Sequence, residues 1–255
     1  MATILDSFIS QGFLQEQFGY QCVDSGFNPG VRGVDLKGEL LLTLNKPHLW
    51  PIPVTVDQWS EDDLFDVIEF FFDNVSKPVE RHFHSWDHCG WHASRFDTPA
   101  GKAEFLDKVK RPLAAYDKGF QLSTAGEVIA TPDPGLAPLL ATPVPSSDRE
   151  NVVDRINAAI RKFQHHRASL ETQRDAVRDL AAVLEFLRPR LKTVLTTKDD
   201  ADLFTIANGF GIRHHNEDQR DGYDKAVWYP WVFQFYLATI HAGLRLIKQA
   251  EERSA

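Results

Sequence analysis

The spacing of apolar residues is mixed in the first half of the chain and helical throughout the second. Ser60-Glu61-Asp62-Asp63 has the hydroxyl cap and acidic first turn of a helix, and the apolar positions behind it keep helical spacing until Pro78. Thr98-Pro99 predicts a second helix, because proline at the first helical position loses no needed donor. The alternating segment 119–130 predicts a β-hairpin, and the apolar run 38–45 predicts a short strand.

The second half predicts helices only. Ser147-Asp148-Arg149-Glu150 fits a capping box, and an apolar stripe follows it. Three further stripes predict helices over 170–187, 199–208 and 223–251. Four helices with short connections are typical of an antiparallel helical bundle.

A proline-rich segment separates the halves. Residues 131–147 contain five prolines, a density that argues against regular helix and favours an extended linker. The sequence therefore predicts an α+β protein. A mixed N-terminal domain, winged-helix-like in its order of helix and hairpin, spans residues 1–145, and an all-α antiparallel bundle spans residues 146–255.

Composition narrows the class of protein. The 255 residues are 43% hydrophobic and 25% charged, as in a globular protein with an ample core. The net charge of -8 means that any nucleic-acid site must be a local patch. Only Cys22 and Cys89 are present, which argues against a disulfide scaffold and favours the cytoplasm. Residues 1–9 lack the pattern of an export signal, and the uncharged segment 226–240 is shorter than the roughly 20 residues of a membrane span.

The strongest candidate for chemistry is the segment Asn208-Gly209-Phe210-Gly211-Ile212-Arg213-His214-His215-Asn216. Arginine binds phosphates through a fork of donors, and histidine exchanges a proton near neutral pH. Arg213 with His214 and His215 could therefore cleave a phosphodiester without a metal. The alternative is that these residues only cap the C-terminus of the preceding helix, since cations stabilise the negative end of its dipole.

The C-terminal half resembles a HEPN-type helical domain of bacterial abortive-infection (AbiJ-like) defence proteins. The similar residues are the run 202–216, Tyr223-Asp224-Lys225, Trp228, Trp231 and the segment 236–241, within residues 151–247. The resemblance implies a metal-independent endoribonuclease that acts on RNA as a homodimer in phage defence. In that family an Arg and a His line a cleft shared by two subunits.

The motif itself departs from the family pattern. Arg213 and the polar His214 match its beginning, but Asp218, Gln219 and Arg220 stand where the family's second His is expected. Either His214 or His215 transfers the proton, or the domain is a non-catalytic module for dimerisation, sensing or RNA binding. Arg161 and His166 also have the motif spacing. Matches to this spacing are expected by chance in a chain of this composition, so the pair is a weaker candidate.

A second cluster of ligand-type side chains lies in the segment 81–92. His84, His88 and His92 are four residues apart, so a helix would place them on one face, with Asp87 and Cys89 as further ligands for zinc. Gly90 disfavours that helix, and Trp86 and Trp91 favour an aromatic packing cluster. The preferred interpretation is a partly buried, hydrogen-bonded cluster, with no metal or cofactor predicted.

The aromatic residues between Trp228 and Tyr236 could stack nucleobases, but in a bundle helix such a band more often forms core or dimer interface. No Walker-type phosphate loop or G-x-S-x-G motif is present, which excludes the common NTPase and α/β-hydrolase classes. The leading hypothesis is a defence-associated ribonuclease, followed by a non-catalytic module and then by a metalloenzyme.

Overall fold

The computed structural model describes residues 1–116, 119–132, 137–209 and 224–254, apart from the side chains of residues 88, 206–209 and 254. Within these residues, helices and small antiparallel hairpins alternate in the first half and helices alone follow, so the chain has the predicted α+β class. It divides into two compact units, residues 1–131 and 132–255, which are called unit 1 and unit 2 below.

The division falls before the predicted boundary at residue 145, because the end of the proline-rich segment belongs to unit 2. Leu139, Leu140 and Val144 pack against the apolar core of that unit. A short helix over Ala137–Ala141 also forms in this segment, contrary to the prediction that its prolines forbid helix. Its Pro138 lies in the first turn, where the missing N–H donor costs nothing.

Capping side chains mark the start of the two longest helices of unit 1. They are α1 Ala2–Ser10, α2 Gln15–Phe18, α3 Leu36–Leu44, α4 Ile52–Thr55, α5 Glu61–Asn74 and α6 Thr98–Ala114. The predicted helix after Ser60 is confirmed as α5, with a complete capping box between Ser60 and Asp63. The predicted helix at Thr98 is confirmed as α6, whose N-cap is Asp97.

The prediction of a strand over residues 38–45 was wrong, because the segment lies in α3. The Asp35 carboxylate accepts a hydrogen bond from the Gly38 N–H at 2.7 Å and caps the helix N-terminus. At the other end Asn45 adopts the left-handed conformation with φ 53°, which asparagine tolerates better than most residues. Local capping therefore outweighs an apolar run that looks strand-like.

The strands in the described part of the chain form three separate two-stranded antiparallel hairpins. They are β1 Tyr20–Cys22 with β2 Gly26–Asn28, β3 Lys77–His84 with β4 Gly90–Asp97, and β5 Phe120–Leu122 with β6 Val128–Ala130. The last of these confirms the hairpin predicted over residues 119–130. The first two hairpins were not predicted.

The core of unit 1 is rich in phenylalanine and lies among its helices. Phe71 and Phe105 are fully buried, with ring centroids 6.1 Å apart, and join α5 to α6. Gly101 in α6 allows this helix to approach β3, since a Cβ there would lie 2.6 Å from the Lys77 backbone nitrogen. The helix α6 therefore places β3 directly beside the core.

Unit 2 is helical. Its helices are α7 Ala137–Ala141, α8 Asp154–Gln164, α9 Leu170–Leu191, α10 Thr197–Gly209 and α11 Lys225–Ser254. Asp148, rather than Ser147, caps the turn that leads into α8. The helix α9 packs against α8 and α11 around an aliphatic core that includes Leu180, Leu184 and Leu237. Within the described part of the chain, each helix is either too short or too polar for a transmembrane segment.

Candidate metal centre

Side chains from three segments of unit 1 converge on one point. Cys22, His84, Cys89 and His92 each offer a sulfur or nitrogen atom, and all four atoms lie within 4.8 Å of one another. The Cys22 Sγ is 3.8 Å from His84 Nδ1, and the Cys89 Sγ is 3.1 Å from His92 Nε2. We call these four residues the Cys2His2 centre.

The β3–β4 hairpin supplies three members of the centre. His84 pairs with Gly90 and His82 pairs with His92 across the two strands. Alternate residues of a strand share a face, so His84 and His92 point to the same side of the hairpin. Cys89 lies in the connection between the strands, next to Gly90, whose φ of 90° suits glycine.

The β1–β2 hairpin supplies the fourth member, Cys22, at the end of β1. A three-residue turn follows, and Gly26 begins β2 with φ 73°, the left-handed conformation found in such turns. The turn brings Asp24 near the centre, where its Oδ2 lies 3.3 Å from His84 Nε2. The Nε2 atom of His84 thus faces this carboxylate, and its Nδ1 atom faces Cys22.

Tyr20 adds a ring on the other side of the centre. It stacks on the ring of His92, with ring centroids 4.2 Å apart. The Gln21 carbonyl oxygen lies 3.6 Å from the Cys89 Sγ. The strand β1 therefore touches the β3–β4 hairpin at the centre itself, and the two hairpins meet through these side chains.

The surroundings favour a thiolate at one cysteine and a neutral ring at one histidine. A hydrogen bond with the Ser25 hydroxyl, with further ones from the backbone of Ser25 and Asp24, lowers the pKa of the Cys22 thiol to about 6. Burial raises the pKa of Cys89, and the nearby Cys22 adds to this. Burial, together with His82 and His84, lowers the pKa of His92.

The donor set fits zinc. Zn²⁺ binds thiolate sulfur at about 2.3 Å and imidazole nitrogen at about 2.0–2.1 Å, which places tetrahedral ligand atoms about 3.3–3.8 Å apart. The contacts of 3.1 Å and 3.8 Å within the centre are close to that range. The Asp24–His84 contact has the form of the carboxylate–histidine pair that orients metal ligands.

The sequence named three of the four members of this centre as possible ligands. His84 and His92 do converge, but from two paired strands and not from one face of a helix, the arrangement that Gly90 disfavoured. The side chain of His88 lies outside the described residues. Sequence reasoning named Cys89 as a further ligand and missed Cys22 and Asp24. Cys22 is the only other cysteine, and its position before the turn-forming Asp24-Ser25-Gly26 was the available signal.

The structure agrees with the preferred interpretation of this segment as a partly buried, hydrogen-bonded cluster, but not with the aromatic packing that its tryptophans suggested. Trp86 is 70% exposed, so it does not contribute to a packed core. Trp91 lies on the opposite face of the hairpin, where the Arg81 guanidinium is 4.2 Å from its ring centroid. The histidines and cysteines thus form a cluster separate from the tryptophans, which fits a ligand set better than a packing cluster.

Arg213, His214 and His215 lie outside the described residues, as do positions 218–220. Arg161 is in α8 and His166 follows it after the helix has ended. In the aromatic run, Tyr229, Phe233 and Tyr236 are buried, as expected for core, whereas Trp231 is 46% exposed.

Comparison of the chain with protein-family models, with curated proteins and with solved structures gave no match.

Proposed function

We propose that this protein binds zinc, and that Cys22, His84, Cys89 and His92 hold one Zn²⁺ in unit 1. The observation that carries the proposal is the convergence of two sulfur and two nitrogen donors within 4.8 Å from three separate segments. Softer thiolate and imidazole ligands together select zinc over magnesium or calcium, which prefer oxygen.

The number of protein ligands indicates a structural ion. A catalytic zinc keeps a position open for water or substrate, whereas four protein ligands close the coordination sphere. Zinc in the Cys2His2 centre would cross-link β1–β2 to β3–β4. These short hairpins have little core of their own, so the ion supplies the contact that fixes them.

Metal analysis of the full-length protein, purified without a histidine tag, tests the proposal. We expect one zinc per chain in the native protein and less than a tenth of that in Cys22→Ser. His82→Ala is the matched control, because exposed His82 lies on the same face of β3 but outside the ligand set. Zinc absent from the native protein, or equal in the native and Cys22→Ser proteins, would contradict the proposal.

We also propose that unit 2 is a HEPN-like antiparallel bundle with metal-independent endoribonuclease activity in defence. The protein would act as a cytoplasmic homodimer. In unit 1, α6 with β5–β6 would be the winged-helix-like part. The sequence resemblance of residues 151–247 supports this second proposal. Arg213 would bind the scissile phosphate, and His214 or His215 would transfer the proton during attack by the 2′-hydroxyl.

Cleavage of RNA by the zinc-loaded protein, without added divalent ions, tests the ribonuclease proposal. We expect Arg213→Ala and the His214/His215 double alanine variant to lose at least 100-fold in rate, as is usual for general acid–base groups. Undiminished cleavage in both variants contradicts these roles. Tight, salt-sensitive RNA binding without turnover instead favours the non-catalytic sensing module.

A further inference from the structure

Both cysteines of the chain belong to the same centre. The sequence contains only Cys22 and Cys89, and both are free thiols in the structure. Their Sγ atoms are within 4.8 Å of each other, although 66 residues separate them along the chain. Any disulfide formed within one chain must therefore join these two residues, at the place where zinc is proposed to bind.

We propose that the Cys22–Cys89 pair is an oxidative modification site, at which a peroxide converts the two zinc thiolates into one disulfide and releases Zn²⁺. This inference rests on the proposed zinc site. It adds a class of reactant, hydroperoxides, and a second covalent state of unit 1.

The unequal exposure of the two cysteines sets the order of the steps. Cys22 is buried, 7% exposed, whereas Cys89 is partly exposed in the connection between β3 and β4. The Cys89 thiolate attacks one peroxide oxygen, which breaks the O–O bond and gives a sulfenic acid and hydroxide. The Cys22 thiolate then attacks the Cys89 sulfur, forms the S–S bond and expels a second hydroxide.

The electrons and protons balance. Two thiolates lose two electrons in total, hydrogen peroxide gains them, and two solvent protons convert the hydroxides into water. Bond formation requires the sulfur atoms to approach to about 2.05 Å. The remaining ligands, His84 and His92, provide only two of the four donors, so zinc dissociates.

The consequence is an exchange of cross-links. With zinc, the β1–β2 and β3–β4 hairpins are joined through four ligands. After oxidation they are joined through one covalent bond between the same two segments. The connection survives, but His84 and His92 are released from the metal and Asp24 no longer orients a zinc ligand.

The test treats the zinc-loaded full-length protein with hydrogen peroxide and follows zinc release with a chromogenic chelator. We expect one zinc per chain to be released, with loss of both free thiols and a disulfide-linked peptide pair containing Cys22 and Cys89. Dithiothreitol followed by zinc should restore the original zinc content and thiol count.

Cys89→His is the control variant, because it keeps four zinc ligands but has only one thiol. Its zinc content is measured first, and we expect peroxide to release zinc from it at least ten times more slowly than from the native protein. Zinc retained by the native protein under peroxide, or released with intermolecular disulfides or sulfinic acids, overturns the modification site alone. Reduced native protein without zinc overturns both this inference and the proposed function.

Discussion

The β3–β4 hairpin of unit 1 and the helix α9 of unit 2 differ in how much core supports them. None of the eight residues of β3 is buried, and His92 is the only buried residue of β4. The helix α9 buries eight residues, among them Leu180, Leu184 and Leu187. A two-stranded hairpin is marginal in water without a packed face. Under the zinc proposal, side-chain ligands hold the β1–β2 and β3–β4 hairpins of unit 1, whereas apolar burial holds the helices of unit 2.

Removal of zinc is expected to have the largest effect on the difference between the two units. For protein kept at free zinc 1,000 times the dissociation constant, a chelator should remove about 4 kcal/mol of stability from unit 1. Hydrogen exchange followed by mass spectrometry should show faster exchange in peptides from residues 20–28 and 77–97. Peptides from residues 170–191 should not change, and equal acceleration in both units would refute the assignment of zinc to unit 1.

The reverse experiment removes core from unit 2. Leu180→Ala should lower the free energy of unfolding by about 3 kcal/mol, because Leu180 is fully buried and its loss leaves a cavity. Chemical denaturation measures this loss, and added zinc should not restore it. The exposed Leu170→Ala is the control and should change stability by less than about 0.5 kcal/mol. Rescue of Leu180→Ala by zinc would contradict the separation of the two stabilising mechanisms.

A largely buried ion-pair network in unit 1 provides a stabilising interaction that does not involve the metal centre. Lys46 Nζ lies 2.5 Å from Asp63 Oδ1 and 2.8 Å from Asp66 Oδ2, and both carboxylates are nearly buried. Lys46→Met should cost about 2 kcal/mol at pH 7, less than a fully buried pair because Lys46 is partly exposed. Thermal unfolding of zinc-loaded protein measures the cost, and the exposed Lys108→Met is the control.

The pH dependence of that network has a definite sign. Burial would raise the pKa of Asp63, but hydrogen bonds from Lys46, Ser60 and His48 outweigh it and hold the pKa well below its usual value. The carboxylate therefore stabilises the fold above the unfolded pKa of about 3.9, and this contribution is lost as the pH falls towards the lower folded pKa. The difference between native and Lys46→Met proteins should shrink on acidification below about pH 4, and a difference that grows would contradict this assignment.

The smallest effect compares two helix caps, one from each unit. Ser60 caps α5 and Ser169 caps α9, each accepting a hydrogen bond from a backbone N–H at 3.1 Å. Replacement of either by alanine should cost about 1 kcal/mol. We expect Ser60→Ala to cost more, because its hydroxyl also donates to the buried, charged Asp63 carboxylate at 2.7 Å, whereas the second partner of Ser169 is the neutral Thr172 hydroxyl at 3.0 Å. Equal losses in urea denaturation would show that this extra bond contributes nothing.

The sequence predicted elements whose cause is local. The helix α5 was found because Ser60 and Asp63 are only three residues apart, and α6 because Pro99 marks a first turn. The helix α3 was missed because its cap, Asp35, lies before the apolar run that suggested a strand. A cap within one helical turn is therefore contained in the sequence, but it predicts the helix only when it is considered together with the apolar residues that follow it.

The metal centre depends on non-local contacts, which a single sequence does not reveal. The separation of four between His84, His88 and His92 suits a helix, but strand pairing places His84 opposite Gly90 and leaves His92 one step further along the same face. Cys22 is 62 residues from His84, and no spacing rule connects them. Ligand types were therefore predictable, whereas their assembly into one centre required the fold.

The separation of Cys22 from its three partner ligands has a consequence for protein synthesis. His84, Cys89 and His92 emerge from the ribosome almost together, so under the zinc proposal a nascent chain would have three donors for the ion as soon as residue 92 emerges. The first hairpin, which ends at residue 28, has by then been exposed while the next 64 residues emerged. Its recruitment closes a long loop, and the entropy lost in doing so grows only slowly with loop length. The last ligand to bind is thus the first to have been made.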